Sequence, residues 1–171
     1  MAYPKTKLPL DFRTDYASLV SKPMNSPRSN AKINVFIADD SLIVREHLVT
    51  MIEELAGIEI VGQAENVAEA ISAIRILKPD AVILDILMPG GSGFKVLQNI
   101  KQAGAGPMVI ILTNYPYPVF RQKCLQAGAD FFLDKSTEFD QIPELFERFR
   151  GTKVSQAEDP QWVVRSIIPA R

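Results

Sequence analysis

Two uninterrupted apolar runs, Ala81-Val82-Ile83-Leu84 and Met108-Val109-Ile110-Ile111-Leu112, constrain the fold of this chain more than any other feature. Neither alternates with polar residues, so both read as strands buried on two faces, as in the middle of a parallel sheet covered by helices. Parallel neighbours need crossovers, and segments of helical spacing flank both runs. Upstream, Ile33-Asn34-Val35-Phe36-Ile37-Ala38 reads as a strand ending in Asp39 and Asp40, followed by Val44, Leu48, Met51, Ile52 and Leu55 at helical spacing. Ile58 to Gln63 is the next strand. Asn66 with Glu69 three residues on makes a capping-box start for a helix bearing Val67, Ala70, Ile71, Ile74 and Leu77, which Pro79 ends. Between the central runs, Ser92 caps a helix with Phe94, Leu97 and Ile100 inward. After Pro118 comes a helix bearing Val119, Phe120, Cys124 and Leu125, then a fifth strand, Phe131-Phe132-Leu133. Ile142, Leu145, Phe146 and Phe149 form the last helical stripe, with Thr137 as its expected cap. Five strand-helix units predict an α/β domain over residues 33–150, a doubly wound five-stranded parallel sheet with helices on both faces.

Charge and proline usage separate that domain from its flanks. Residues 1–32 carry six basic and two acidic side chains, residues 33–150 ten and sixteen, and residues 151–171 three and two. The first segment is thus a basic extension, net +4, the α/β domain an acidic one, net −6, and the rest a short tail. Pro23 and Pro27 fall in an irregular stretch from Ser21 to Asn30, whereas Leu8, Leu10, Phe12, Tyr16, Leu19 and Val20 leave room for a docking helix over Asp15 to Val20. The tail is too short for an output domain, and Trp162 with its apolar neighbours reads either as a fold-back or as a binding peptide. Cys124 is the single cysteine, which excludes an internal disulfide framework and a multi-thiolate zinc site. No apolar run approaches the roughly 18 residues of a membrane span. These features fit a cytoplasmic protein without a membrane partner, and the acidic domain is expected not to bind DNA.

In a parallel sheet, residues just past the carboxyl ends of the strands gather along one edge, where such folds bind ligands. Here these are Asp39 and Asp40, Asp85, Thr113 and Lys135. Three carboxylates placed together repel one another unless a hard cation such as Mg²⁺ or Mn²⁺ neutralises them. One of them can then act as a nucleophile toward a phosphoryl group, with the metal, an ammonium and a hydroxyl sharing the charge on its oxygens. Lys135 and Thr113 supply the last two groups.

Four blocks, Phe36-Ile37-Ala38-Asp39-Asp40, Asp85-Ile86-Leu87-Met88-Pro89-Gly90-Gly91-Ser92-Gly93, Ile111-Leu112-Thr113 and Ala127-Gly128-Ala129-Asp130-Phe131-Phe132-Leu133-Asp134-Lys135, resemble in order those of the receiver domains of two-component response regulators. The resemblance runs from Ile33 to about Arg150 and implies the flavodoxin-like strand order 2-1-3-4-5. It implies that Asp85 is the phosphoacceptor, that Asp40 and Asp39 hold the metal together with Asp85 and the backbone carbonyl of Leu87, that Thr113 is the switch hydroxyl and Lys135 the phosphate-pairing ammonium, and that Phe132 is the switch aromatic. Three positions depart from the family pattern. Asn114 stands where Ala or Gly usually follows the switch hydroxyl, Leu87 where a polar residue is frequent, and Ser136 where Pro commonly follows the lysine.

The resulting expectation is a stand-alone phosphorelay switch. It receives a phosphoryl group on Asp85 from a histidine kinase or phosphotransfer protein and signals through the face made by the fourth helix, fifth strand and fifth helix. It is not an enzyme beyond self-catalysed phosphotransfer and autodephosphorylation. Leu87, Asn114 and Tyr115 are expected to tune the phosphoryl lifetime. Two rivals remain at this stage. One is a phosphate-independent binding module of the same fold, motivated by Asn114 and Leu87. The other is an Asp-nucleophile phosphohydrolase, which would ordinarily place a second Asp where Leu87 stands. His47 reads as an ordinary surface residue, Cys124 as a small core residue, and Gly90-Gly91-Ser92-Gly93 as a tight turn rather than a dinucleotide loop. Tyr115-Pro116-Tyr117-Pro118 is either a structural turn or an aromatic partner surface.

Overall fold

The computed structural model describes residues 32–102 and 106–158, with side chains through Gly151. The expected docking helix over Asp15 to Val20, the irregular stretch from Ser21 to Asn30 and the Trp162 tail lie outside the described residues. Among the described residues, the five strands of the main sheet alternate with five α-helices: β1 Ile33–Ala38, α1 Leu42–Glu53, β2 Ile58–Ala64, α2 Val67–Leu77, β3 Ala81–Leu84, α3 Gly93–Gln102, β4 Met108–Thr113, α4 Pro118–Gln126, β5 Phe131–Asp134 and α5 Ile142–Glu158. The strands pair in parallel in the order β2-β1-β3-β4-β5, as the resemblance implies.

The two apolar runs sit where their lack of alternation requires. β3 and β4 are buried along their whole length, with Val82 opposite Val109 and Ile83 opposite Ile110. On one sheet face Phe36, Val82, Leu84, Val109, Ile111 and Phe132 pack with Ala70 and Ile74 of α2, Val96 and Leu97 of α3 and Cys124 of α4. On the other, Val35, Ile37, Ile83, Ile110 and Leu112 pack with Leu48 and Ile52 of α1 and with Ile142, Leu145 and Phe146 of α5. Each large apolar side chain fully buried this way contributes about 1.5–3 kcal/mol. These two layers hold the sheet rigid beneath its carboxyl edge.

Local signals explain most helix boundaries. The Asn66 side chain accepts a hydrogen bond from the backbone N–H of Glu69 at 3.0 Å, and α2 ends at Lys78 in the left-handed conformation, with Pro79 after it. Ser92 Oγ accepts from the Phe94 N–H at 3.2 Å at the start of α3, and Pro118 opens α4 at its first helical position. Three expectations need correction. Thr137 does not cap α5, because a short 3₁₀ turn, Phe139–Gln141, intervenes before Ile142. In α4 only Cys124 is buried, while Val119 and Leu125 face solvent, because this helix is short and offers the sheet a narrow face. Leu77, the last residue of α2, is also exposed rather than part of the buried stripe. One small feature was not anticipated. Leu87–Met88 and Gly91–Ser92 pair as an antiparallel ribbon, turned by Gly90 at φ 82°, a left-handed conformation that favours glycine.

Candidate functional site

Asp39 follows β1 and Asp85 follows β3, and since these strands are neighbours, the backbone N–H of Asp85 donates to Ala38 O at 2.8 Å. That adjacency brings the three acidic residues together: one carboxylate oxygen from each of Asp39, Asp40 and Asp85 lies within 4.8 Å of the others. Asp39 and Asp85 are buried, at 2% and 6% exposure, whereas Asp40 faces solvent. Lys135, just past β5, reaches across the edge. Its Nζ lies 2.6 Å from Asp39 Oδ2 and 2.8 Å from Asp85 Oδ2. The second oxygen of each buried carboxylate is held by backbone. Asp39 Oδ1 accepts from the Ser41 N–H at 3.0 Å, and Asp85 Oδ1 from the Ile86 N–H at 2.6 Å and more loosely from the Leu87 N–H at 3.4 Å.

The loop after β5 is shaped so that Lys135 can do this. The Lys135 N–H donates to Thr113 O at 2.9 Å, which continues the β4–β5 pairing beyond the strands. Asp134 Oδ1 accepts from both the N–H and the hydroxyl of Ser136, at 2.8 and 2.6 Å, and these bonds hold the Asp134 carboxyl below the usual aspartate value. Ser136 thus has a local role at the place where the family commonly has Pro, which could supply neither bond. Glu138 closes the turn by accepting from the Asp134 N–H at 2.9 Å and from Arg121 Nη2 of α4 at 3.3 Å.

Thr113, the last residue of β4, is fully buried, and its Oγ1 accepts from the Tyr115 N–H at 3.2 Å. A hydroxyl bound this way keeps its own hydrogen free to donate. Phe132 is buried on the sheet face that carries α2, α3 and α4, and the Arg121 guanidinium lies over its ring, 4.9 Å from the centroid. Leu87, Asn114 and Tyr115 have exposed side chains on the two loops that flank Asp85 and Thr113. Of the strand-end residues expected at one edge, the structure brings together Asp39, Asp40, Asp85 and Lys135, and Thr113 adjoins them through its carbonyl, which accepts from the Lys135 N–H. The sequence reading missed Arg45, whose Nη1 donates to the Asp39 carbonyl oxygen at 2.6 Å, and Glu138. Both act through backbone groups, and no residue spacing signals such a contact.

The electrostatics and donor set of the cluster suit a hard divalent cation. Burial pushes the Asp39 carboxyl above its usual range even though Lys135 opposes the shift. For Lys135, burial acts to lower the pKa, but its bonds to Asp39 and Asp85 outweigh it and hold the ammonium above the ordinary lysine value. Three carboxylates against one ammonium leave the site net negative. The donors are all hard oxygens, and one carboxylate is open to solvent, which is the donor chemistry Mg²⁺ or Mn²⁺ takes in sites that retain several waters. The residues present fit such an ion.

Comparison with known proteins shows the family and the fold. The family model described as the response regulator receiver domain matches residues 35–147. YvfU of Bacillus subtilis strain 168, named as an uncharacterized transcriptional regulatory protein, is 33% identical over 127 residues, covering 74% of this chain and 64% of its own length. The chain thus spans less than two thirds of that relative. The response regulator domain of Thermotoga maritima CheB superposes with a TM-score of 0.62 at 27% identity, over 75% of this chain and 99% of its own. A chain of the CheX-CheY-BeF3-Mg complex of Borrelia burgdorferi superposes with a TM-score of 0.58 at 27% identity, over 67% of this chain and 89% of its own.

Proposed function

This chain belongs to the response regulator receiver domain family, and from that premise we propose that it is a phosphorelay switch whose phosphoacceptor is Asp85. The observation that carries the reading is the setting of Asp85. It is a buried carboxylate at the carboxyl edge of a central strand, bonded to Lys135 Nζ at 2.8 Å and within reach of one ion shared with Asp39 and Asp40. Response regulators pair with histidine kinases or phosphotransfer proteins, and such a protein is the proposed donor.

In the transfer, one Asp85 oxygen attacks the phosphorus of a phosphoimidazole. The P–N bond breaks, its electron pair stays with the imidazole, which takes up a proton, and an acyl phosphate remains on Asp85. Lys135 exchanges its bond to Asp85 Oδ2 for a phosphoryl oxygen, and the Thr113 hydroxyl donates to a second. Asp39 and Asp40, with the Leu87 carbonyl, would hold Mg²⁺ or Mn²⁺, which when bound supplies charge neutralisation for the carboxylates and the phosphoryl oxygens. The magnesium and beryllium trifluoride named for the Borrelia complex fit this reading. As Thr113 moves toward the phosphoryl group, Phe132 gains space, and the face of α4, β5 and α5 changes for a downstream protein.

The net charge of −6 over residues 33–150 repels nucleic-acid phosphates, so the proposed output of this domain is contact with a protein. No helix among the described residues is long and apolar enough to cross a membrane, and the proposed setting is the cytoplasm, where a kinase donor meets ATP. The exposed Leu87 side chain offers no second acid two residues after Asp85, which disfavours the phosphohydrolase alternative. Intact mass after incubation with Mg²⁺ and acetyl phosphate tests the proposal. One phosphoryl adduct is expected on the native chain and none on Asp85→Asn. Equal labelling of both would overturn the assignment of Asp85, and no adduct on the native chain with either acetyl phosphate or a phosphorylated kinase would overturn the switch in favour of the phosphate-independent module.

A further inference from the structure

Arg45 lies in the first turn of α1, beside the acidic loop, with its side chain only 11% exposed. Its two contacts differ in strength. Nη2 stands 3.8 Å from Glu65 Oε2, but the Glu65 side chain is 64% exposed, and a long pair with a solvated partner contributes little. Nη1 donates to the carbonyl oxygen of Asp39 at 2.6 Å, a short, shielded bond from a charged donor, the stronger kind.

The other groups of Asp39 already have partners. Its N–H donates to Ala64 O at 3.0 Å, its Oδ1 accepts from the Ser41 N–H at 3.0 Å, and its Oδ2 faces Lys135 Nζ at 2.6 Å. Arg45 therefore fixes the remaining backbone group, the carbonyl, which belongs to the peptide plane joining Asp39 to Asp40. Rotation of that plane would swing the Asp40 side chain, exposed at the surface, away from the other two carboxylates. The guanidinium only donates and does not deprotonate, so it orients this plane without competing for an ion as a ligand would.

We infer that Arg45 is a positioning residue for the divalent-cation site: its bond to the Asp39 carbonyl sets the Asp39–Asp40 peptide so that both carboxylates, with Asp85, face one ion. The inference rests on the metal reading given above. It makes a prediction opposite in sign to a plain charge effect, since removing a nearby positive charge would by itself strengthen cation binding.

The test is Mg²⁺ binding followed by calorimetry and by thermal shift, on the full chain, for the native protein, Arg45→Met, Arg45→Lys and Glu65→Gln, with folding checked by far-ultraviolet circular dichroism. Arg45→Met keeps the apolar stem and removes every donor, and its Mg²⁺ Kd is expected to rise about tenfold, a change of about 1.4 kcal/mol. Arg45→Lys retains the charge and an ammonium that can donate but loses the rigid planar fork, and is expected to weaken binding by about threefold, while Glu65→Gln stays at the native value. At saturating Mg²⁺ the rate of adduct formation by Arg45→Met should return close to native, because the deficit lies in holding the ion. Native or tighter Mg²⁺ binding by Arg45→Met overturns the inference, as does Arg45→Lys binding as weakly as Arg45→Met. If Arg45→Met does not fold, Arg45→Lys decides, and native affinity in that variant overturns the inference. A native chain that binds no Mg²⁺ removes the metal reading and this inference with it, whereas native binding left unchanged in the variants removes the inference alone.

Discussion

Gly93 is packed so closely against Asp85 that a Cβ at position 93 would lie 1.8 Å from the Asp85 carbonyl oxygen. The first residue of α3 therefore presses on the backbone of the proposed phosphoacceptor, and the Gly93 N–H donates to the adjacent Ile86 carbonyl at 2.8 Å. The colliding atom is backbone at the end of a buried central strand, so no side-chain rotation can relieve the clash.

Gly93→Ala is accordingly expected to lose about 3 kcal/mol of stability, the upper part of the range for overpacking a tight core. It should also lose the Mg²⁺-dependent adduct, since relief of the clash moves Asp85. Urea unfolding with intact-mass labelling checks both. A native midpoint together with full labelling would contradict the packing argument.

Lys135 is the ammonium that bridges two buried carboxylates, and its own side chain is 5% exposed. Lys135→Met should therefore destabilise the fold by about 3–5 kcal/mol, because it leaves Asp39 and Asp85 facing each other without a counter-charge. Mg²⁺ should recover part of the loss, and urea titrations with and without the ion measure it. The pH dependence has a definite sign. Burial opposes the charge on Lys135, but Asp39 and Asp85 outweigh it and raise its pKa above the ordinary 10.5. A base with a raised pKa in the folded state contributes fully below 10.5 and loses that contribution as pH climbs through the folded value. Stability of the native chain should fall on that alkaline limb, and the part of the fall due to Lys135 should be missing from Lys135→Met.

Cys124 is the single thiol of the chain and is buried on α4. Burial pushes its pKa up, so the reactive thiolate is scarce as well as shielded. The native chain is expected to resist a thiol-specific chromogenic reagent at neutral pH, with one equivalent released only on unfolding in urea. Rapid stoichiometric reaction of the folded chain would place the thiol in an accessible pocket instead.

What could be read from the sequence follows from the range over which each signal acts. β3 and β4 were legible as strands because burial on both faces forces an unbroken apolar run, and the Asn66 cap was legible because it closes within three residues. Site residues at strand ends were legible because a parallel sheet brings such ends together. The Val119 and Leu125 stripe failed because apolar spacing marks which residues could be buried, and the width of the sheet decides which are. Arg45 and Glu138 were invisible for a different reason. Each bonds a backbone group that every residue type possesses, so only the folded chain shows which one it reaches. Ser136 looked like a departure from a pattern, and its purpose appears only in its two bonds to Asp134.

The lifetime of a phosphoryl group on Asp85 is the last quantity these residues bear on. Hydrolysis requires a water aligned opposite the bond to the carboxylate, and the side chains on the flanking loops decide whether one can settle there. Leu87 and Tyr115 are each 42% exposed, and their backbone N–H groups lie 3.4 Å from Asp85 Oδ1 and 3.2 Å from Thr113 Oγ1. Both therefore stand at the rim of the site. Leu87 offers a water no hydrogen bond, and the ring of Tyr115, 6.4 Å from that of Tyr117, adds bulk to the same rim. Slow self-hydrolysis is the expected outcome. Leu87→Asn and Tyr115→Glu should each accelerate decay of the phosphorylated chain at saturating Mg²⁺. A tenfold change in rate is only about 1.4 kcal/mol of barrier, the size of one ordinary hydrogen bond gained by a positioned water. Decay measured by intact mass checks this, and equal or slower decay in both variants would shift the control to Asn114, whose exposed amide sits directly after Thr113.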